Sequence, residues 1–63
     1  MKCDICGAIV KEPSYIVDGK TKMGQWAWMC IEVCFSKYGV GLGTGLGQKF
    51  QIGENEHLTK VEG

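Results

Sequence analysis

The stretch Cys30-Ile31-Glu32-Val33-Cys34 places two thiols four residues apart, and Cys3-Asp4-Ile5-Cys6 places two more near the start of the chain. The pairs have the pattern C-x₂-C and C-x₃-C, with 23 residues between them. Zn²⁺ prefers four soft or borderline ligands in a tetrahedron, and two short cysteine pairs supply these with little ring strain. The pattern therefore predicts one structural Zn²⁺. Its four ligands are Cys3, Cys6, Cys30 and Cys34.

The size of the chain also favours such a site. Sixty-three residues form one small domain. A domain of this size buries too little apolar surface to be stable without an added crosslink or metal ion. Disulfides, a redox dithiol and a metal ion are the alternatives. No segment has the charged, apolar and small-residue order of a signal peptide. We therefore expect a reducing cytosol, where paired cysteines bind metal more often than they form crosslinks.

Composition limits the partners that we expect. No apolar run approaches the eighteen or so residues that a membrane-spanning helix needs. Seven lysines balance seven acidic residues, and Zn²⁺ bound to four thiolates adds +2 and −4, so the loaded chain would carry a net charge of −2. There is no arginine and no basic cluster. This composition weakens a nucleic-acid hypothesis, because such binding depends largely on neutralising phosphates.

The residues between the two cysteine pairs predict a β-hairpin or a three-stranded meander. Residues 1–7 are typical of a zinc knuckle, in which Gly7 adopts a positive φ and backbone N–H groups point at the sulfurs. Tyr15-Ile16-Val17 and Gln25-Trp26-Ala27-Trp28-Met29 have extended patterns. Asp18-Gly19 between them is the strongest hairpin-turn signal in the chain.

Residues 31–38 predict a short helix. Side chains four residues apart share one side of a helix, so this helix would carry the second cysteine pair. Glu32 lies in its first turn and Lys37 in its last, as the helix dipole favours. Gly39 is a residue typical of the C-terminal end of a helix. Two helical turns are unstable alone, so the metal and an apolar stripe must hold them.

The segment 39–47 alternates five glycines with Val, Leu, Thr and Leu. It lacks the spacing of a nucleotide-binding loop, because Gly47-Gln48-Lys49 is followed by Phe50. Two alternatives remain. Its bare backbone packs against the tryptophans or the helix, or it is an exposed loop that contacts a partner. We assign residues 1–48 to the zinc-finger domain and 49–63 to a C-terminal hairpin or tail.

The predicted chemistry is structural rather than catalytic. A catalytic zinc needs three protein ligands and an open position, and four cysteines leave no position open. His57 is a lone histidine in a polar segment and is a poor candidate for a ligand. No Ser/His/Asp, Cys/His or paired-carboxylate set is evident. We therefore predict that the chain is not an enzyme.

Trp26 and Trp28 are the main candidates for a binding surface. They are also simple core residues, because a small domain needs large apolar side chains. Tryptophan is enriched at protein-binding hot spots, and this favours a protein partner. The alternative is nucleic acid stacked on the tryptophans beside Lys20, Lys22 and Lys49. The candidate partner-binding residues are Trp26, Trp28, Gly41, Gly43, Gly45 and Lys49.

A knuckle, a hairpin and a short helix, with cysteines at the knuckle and at the helix start, resemble the treble-clef zinc finger. The resemblance covers about residues 2–39. It implies a small α+β domain held by one Zn²⁺. A zinc ribbon with two knuckles is the alternative, because treble-clef fingers more often have C-x₂-C as the second pair.

A narrower resemblance extends over most of the chain. Trp26-Ala27-Trp28-Met29-Cys30, the run from Tyr38 to Gly45, Gly47-Gln48 and the closing Lys60-Val61-Glu62-Gly63 are similar to small bacteriophage proteins. This resemblance implies an accessory protein in the cytoplasm of a phage-infected bacterium. It implies no particular activity.

Overall fold

The computed structural model describes all residues from Met1 to Gly63. Its four strands are β1 (Ser14–Lys20), β2 (Trp26–Cys30), β3 (Gly47–Ile52) and β4 (Leu58–Glu62). Between β2 and β3 lies one short helix. It begins as a π-helical turn, Ile31–Phe35, and ends as the α-helical turn α1, Ser36–Tyr38. A 3₁₀ turn, Glu54–Glu56, connects β3 to β4. The prediction of a small α+β domain is confirmed.

All four strands form one antiparallel sheet in the order β2-β1-β3-β4. The central strand, β1, contains the β-branched pair Ile16-Val17, which suits a pleated and buried position. In the sheet, Val17 lies opposite Met29 of β2 and Lys49 of β3. The segment after the first cysteine pair therefore forms the central strand, β1. The second cysteine pair begins with Cys30, the last residue of the edge strand β2.

Both faces of the sheet contain buried residues. Residues directly opposite one another share a face, so Val17 and Met29 lie together. Both are fully buried and cluster with Cys3 and Cys34. We call this side the core face. On the other side, the aromatic face, lie Trp26, Trp28 and Phe50, together with Ile16 and Ile52, which are also fully buried.

The predicted position of the hairpin turn was wrong. Strand β1 continues through Asp18-Gly19, and the turn lies at residues 21–25, where the Thr21 N–H donates to the Gln25 carbonyl at 2.8 Å. Gly19 serves a different purpose. A Cβ atom there would lie 3.0 Å from the Gly47 Cα, so the glycine allows close approach of β3. The local turn signal was overridden by this packing requirement.

The same close approach explains part of the glycine-rich segment 39–47. A Cβ on Gly47 would lie 2.8 Å from the Gly41 carbonyl oxygen and 3.2 Å from the Gly19 Cα. A Cβ on Gly63 would lie 2.5 Å from the Gly47 carbonyl oxygen. We call the contact of Gly19, Gly47 and Gly63 the glycine seam. It joins β1, β3 and the residue after β4 by backbone contact alone.

The start of the segment packs on the helix, which is one form of the packed alternative. A Cβ on Gly39 would overlap the Phe35 ring, and the Gly39 N–H donates to the Phe35 carbonyl at 2.9 Å. The chain then turns, and the Leu46 and Gly47 N–H groups both donate to the Gly43 carbonyl at 3.0 Å. The side chain of Leu46 is 41% exposed. The segment is therefore a turn packed at its two ends.

The segment 49–63, for which the sequence left a hairpin and a tail open, forms strand pairs. Ile52 lies opposite Leu58, and Phe50 lies opposite Lys60, with a register shift between Lys49 and Phe50. The proposed division between residues 48 and 49 falls inside β3. No helix in the chain is long and apolar enough to cross a membrane.

Candidate metal centre

The first cysteine pair lies in a tight turn at residues 3–6. Its end is closed by a hydrogen bond from the Gly7 N–H to the Cys3 carbonyl at 3.1 Å. Gly7 has a φ of 77°, a conformation that glycine adopts at little cost. The predicted positive φ is confirmed. The turn brings the Cys3 and Cys6 side chains to the same point.

The second pair comes from the junction of β2 and the helix. Cys30 is the last residue of β2 and has extended backbone angles, φ −66° and ψ 145°. Cys34 lies in the π-helical turn and is buried. The expectation that both cysteines lie on the helix was therefore wrong for Cys30. A strand residue and a helix residue converge because the chain changes direction between them.

The four sulfur atoms form a compact group. All four Sγ atoms lie within 4.8 Å of one another, and the Cys6 and Cys30 Sγ atoms are 3.8 Å apart. All four cysteines are free thiols. Cys3 and Cys34 are each only 1% exposed, whereas Cys6 is exposed and Cys30 is half-buried. The group is positioned to bind one metal ion, with two ligands on the core side and two toward solvent.

Backbone N–H groups lower the pKa of one buried thiol. Burial by itself raises the pKa of Cys3, but hydrogen bonds from the backbone of Cys6, Cys30 and Ile5 outweigh it, with help from the Cys34 thiol. The resulting pKa of Cys3 is about 6, below the ordinary 9.0. The Cys6 and Ile5 donors belong to the knuckle, as predicted, whereas the Cys30 donor belongs to β2. Such donors orient and tune a thiolate ligand.

The pKa of the second buried thiol, Cys34, shifts in the opposite direction. Burial raises the pKa of Cys34, hydrogen bonds with Cys3, Cys6 and Cys30 also raise it, and the resulting value is about 12. Burial therefore favours the protonated form of this thiol. A bound cation would remove that proton, because a metal ion stabilises thiolates that burial alone disfavours.

Asp4 anchors the knuckle to the outer edge of β2. Its carboxylate accepts a hydrogen bond from the Trp28 N–H at 2.9 Å, and its own N–H donates to the Trp28 carbonyl at 2.8 Å. The knuckle thereby covers part of an edge strand that would otherwise expose unpaired backbone groups. Sequence analysis missed this residue, because the contact spans 24 positions and has no local signal.

The aromatic face holds the two predicted binding tryptophans together. Trp26 is 50% exposed, and Trp28 is half-buried against Phe50, with ring centroids 5.6 Å apart and a 52° angle between the planes. Phe50 was not among the predicted site residues. Lys20 lies opposite Trp26, and Lys60 lies opposite Phe50, so both lysines are on this face.

The other predicted partner-binding residues lie elsewhere. Lys49 is on the core face, where its Nζ lies 4.7 Å from the centroid of the Tyr15 ring. Gly41, Gly43 and Gly45 lie in the turn after the helix, with positive φ values of 141°, 124° and 79°. The structure therefore brings the tryptophans together and places Lys49 on the opposite side of the sheet.

Histidine makes no contribution to the cysteine cluster. His57 is exposed and follows the 3₁₀ turn before β4, and the possible ligand group contains only the four cysteines. Comparisons of the chain with models of protein families, with curated proteins and with solved structures gave no match. Function is therefore inferred from the residues and geometry described above.

Proposed function

We propose that this chain is a non-enzymatic binding module of treble-clef type, stabilised by one structural Zn²⁺ and expressed as a bacteriophage accessory protein. The observation that carries the proposal is the group of four cysteine sulfurs within 4.8 Å of one another. In this module the metal holds a small domain together, and a separate surface contacts a protein partner.

Zinc suits a donor set of four thiolates. Four thiolates are soft ligands, and tetrahedral sites of this type select zinc or iron. With metal–sulfur bonds of about 2.3 Å, neighbouring sulfurs of a regular tetrahedron lie about 3.8 Å apart. The Cys6 and Cys30 sulfurs have this separation, 3.8 Å. Because four protein ligands close the shell, the ion would stabilise the fold and activate no water.

The order of elements supports the treble-clef assignment over a zinc ribbon. A knuckle at residues 3–6 is followed by the β1–β2 hairpin and then by the helix. A ribbon would take its second cysteine pair from another knuckle. Here Cys34 lies in a helical turn instead.

The aromatic face is the proposed partner surface. Trp26 is 50% exposed at one end of β2, and nearby Met23 in the hairpin turn is 62% exposed. Exposed tryptophan beside an apolar neighbour is typical of a protein-binding hot spot. The low net charge of the chain and its lack of arginine also favour a protein partner.

One observation favours nucleic acid as a second candidate partner. Lys20 and Lys60 flank the three aromatic rings on the same face. Aromatic side chains on a sheet stack bases, and lysines neutralise phosphates. The tilted Trp28 and Phe50 rings offer a less even stacking surface than coplanar rings would. For this reason we prefer the protein partner.

Native mass spectrometry with elemental analysis tests the metal. We expect one zinc ion per folded chain. A folded chain without metal, whose cysteines are bonded to each other or unpaired, would overturn the proposal.

Affinity capture from infected bacteria tests the partner surface. Wild type is compared with Trp26→Ala and with Val40→Ala, which changes an exposed side chain in the segment after the helix. We expect one protein to be enriched by wild type and Val40→Ala but lost with Trp26→Ala. Loss of the captured material after nuclease treatment or in raised salt would indicate the nucleic-acid alternative. Equal capture by all three proteins would exclude the aromatic face.

A further inference from the structure

A second surface lies beside the N-terminal segment at residues 8–11. This segment pairs with the start of the chain through an antiparallel bridge between Lys2 and Ile9. The Cys3 N–H donates to the Ala8 carbonyl at 2.9 Å, and the Val10 N–H donates to the Met1 carbonyl at 2.7 Å. In this pattern Lys2 and Ile9 form the non-hydrogen-bonded pair. The N–H and C=O groups of Ile9 therefore point away from Lys2.

These two backbone groups of Ile9 have no protein partner. Neither group takes part in a hydrogen bond to backbone or side chain. The Ile9 side chain is 61% exposed. An extended segment with a free edge is a template on which another strand can form.

A groove of about 450 Å³ lies beside this segment. It is lined by residues 8–11, by Ser14, Tyr15 and Lys49 of the sheet, and by residues 30–33 at the junction of β2 and the helix. Cys30, one of the four candidate metal ligands, is therefore part of the lining, whereas residues 1–3 are not. Val33 is 59% exposed and Tyr15, also in the groove, is 42% exposed.

The charges along the groove are unequal. Lys11 and Lys49 line it, against one acidic side chain, Glu32. Lys49 stands next to the Tyr15 ring, so a positive charge adjoins an apolar surface. An apolar ligand segment with an acidic residue would complement this arrangement.

We propose that the groove binds an extended apolar peptide segment of a partner protein, which adds as a strand to the free edge at Ile9. Backbone hydrogen bonds to Ile9 would provide affinity, and the exposed apolar side chains would provide specificity for alternate peptide residues. A helical ligand would satisfy its own backbone and leave the Ile9 groups unused. This surface lies apart from the aromatic face, and the inference does not depend on that face.

Peptide selection tests the inference on the folded, metal-loaded chain. A display library of random twelve-residue peptides is selected on wild type, and each selected peptide is measured against variants. Ile9→Pro removes an N–H that the fold does not use, and Val33→Asp places an unpaired charge in the groove. Either change should weaken binding by about tenfold or more. Val40→Asp and Trp26→Ala lie outside the groove and should leave binding unchanged.

Hydrogen exchange provides a readout that does not depend on the variants. With a selected peptide bound to wild type, the Ile9 amide should exchange at least about tenfold more slowly. The inference is overturned if no peptide is selected above background, if Ile9→Pro binds equally well, or if Ile9 exchange is unchanged. Concentration-dependent self-association that protects both Ile9 and β4 would also overturn it, because a second copy would then be the occupant. Loss of peptide binding in Trp26→Ala alone would instead point to the aromatic face.

Discussion

The group of Cys3, Cys6, Cys30 and Cys34, which we call the cysteine corner, and the glycine seam connect separate elements by different means. At the corner, side chains from three separate elements converge on one point, and two of their sulfurs are fully buried. At the seam, the absence of side chains on Gly19, Gly47 and Gly63 lets backbones touch. The cysteine corner depends on sulfur atoms that can bind a metal ion. The glycine seam depends on the absence of Cβ atoms, which lets the backbones approach closely.

The two regions are nevertheless coupled through the core. The buried cluster on the core face consists of Val17, Met29, Cys3 and Cys34, so half of its members are candidate metal ligands. Val17 lies two residues from Gly19 in β1, the strand that carries one side of the seam. The candidate metal centre and the apolar core therefore share residues. We expect loss of a bound metal to destabilise the sheet.

The largest expected effect is that of Cys34→Ser. The change removes a ligand and places a hydroxyl in the buried cluster, so metal binding and folding are lost together. We expect a loss of several kcal/mol, enough to unfold a domain of this size. Circular dichroism during heating, combined with measurement of bound metal, provides the test.

Cys6→Ser is the matched control, because Cys6 is exposed and does not belong to the buried cluster. Cys6→Ser should weaken metal binding but leave a larger fraction of the chain folded than Cys34→Ser does. A cooperative melt of Cys34→Ser near the wild-type temperature would show that the sheet is independent of the corner.

The next largest effect is expected at the seam. In Gly47→Ala, the new methyl group would lie 2.8 Å from the Gly41 carbonyl oxygen, and backbone cannot move aside as a flexible side chain can. We expect a destabilisation of about 2–3 kcal/mol from this overlap. Chemical denaturation with metal present measures it.

Gly24→Ala separates steric overlap from backbone strain. Gly24 has a φ of +94°, but a Cβ there would meet nothing within 4 Å. Gly24→Ala should therefore lower the free energy of unfolding only by the backbone strain of its positive φ, about 1 kcal/mol. If the two alanine variants were equally stable, close backbone approach would not be what holds the seam.

Metal binding should release a proton from the buried Cys34 thiol. The pKa of Cys34 is about 12, so this thiol must lose a proton when metal binds, whereas Cys3, with a pKa of about 6, is already ionised at pH 7.5. The apparent metal affinity should therefore rise at least about tenfold for each pH unit between 7 and 8.5. Competition with a coloured chelator measures this slope, and a flat response would contradict the assignment.

The smallest expected effect concerns the hydrogen bond between Asp4 of the knuckle and Trp28 of β2. Asp4→Ala removes the acceptor for the Trp28 N–H, an exposed hydrogen bond of 2.9 Å. The cost should be about 0.5–1.5 kcal/mol, with faster hydrogen exchange at the Trp28 amide. Asp4→Asn keeps an acceptor oxygen and should preserve most of the protection. Unchanged exchange in Asp4→Ala would mean that the knuckle does not need this contact to cover the edge of β2.

The sequence by itself determined the candidate metal ligands, the knuckle turn and the short helix. The spacing within each cysteine pair, Gly7 after the knuckle and the helix at residues 31–38 all depend on interactions between near neighbours. Such interactions are visible in a short stretch of sequence, because turn geometry and ligand reach are local properties.

Only the tertiary structure decided where the hairpin turns and what the glycines do. Asp18-Gly19 has the composition of a turn but lies in a strand, since Gly19 must admit the backbone of Gly47, which lies far along the chain. The Asp4 contact with Trp28 and the exposure of Trp26 also depend on distant segments. A residue's local preference amounts to about 1 kcal/mol, and close packing between distant strands outweighs it.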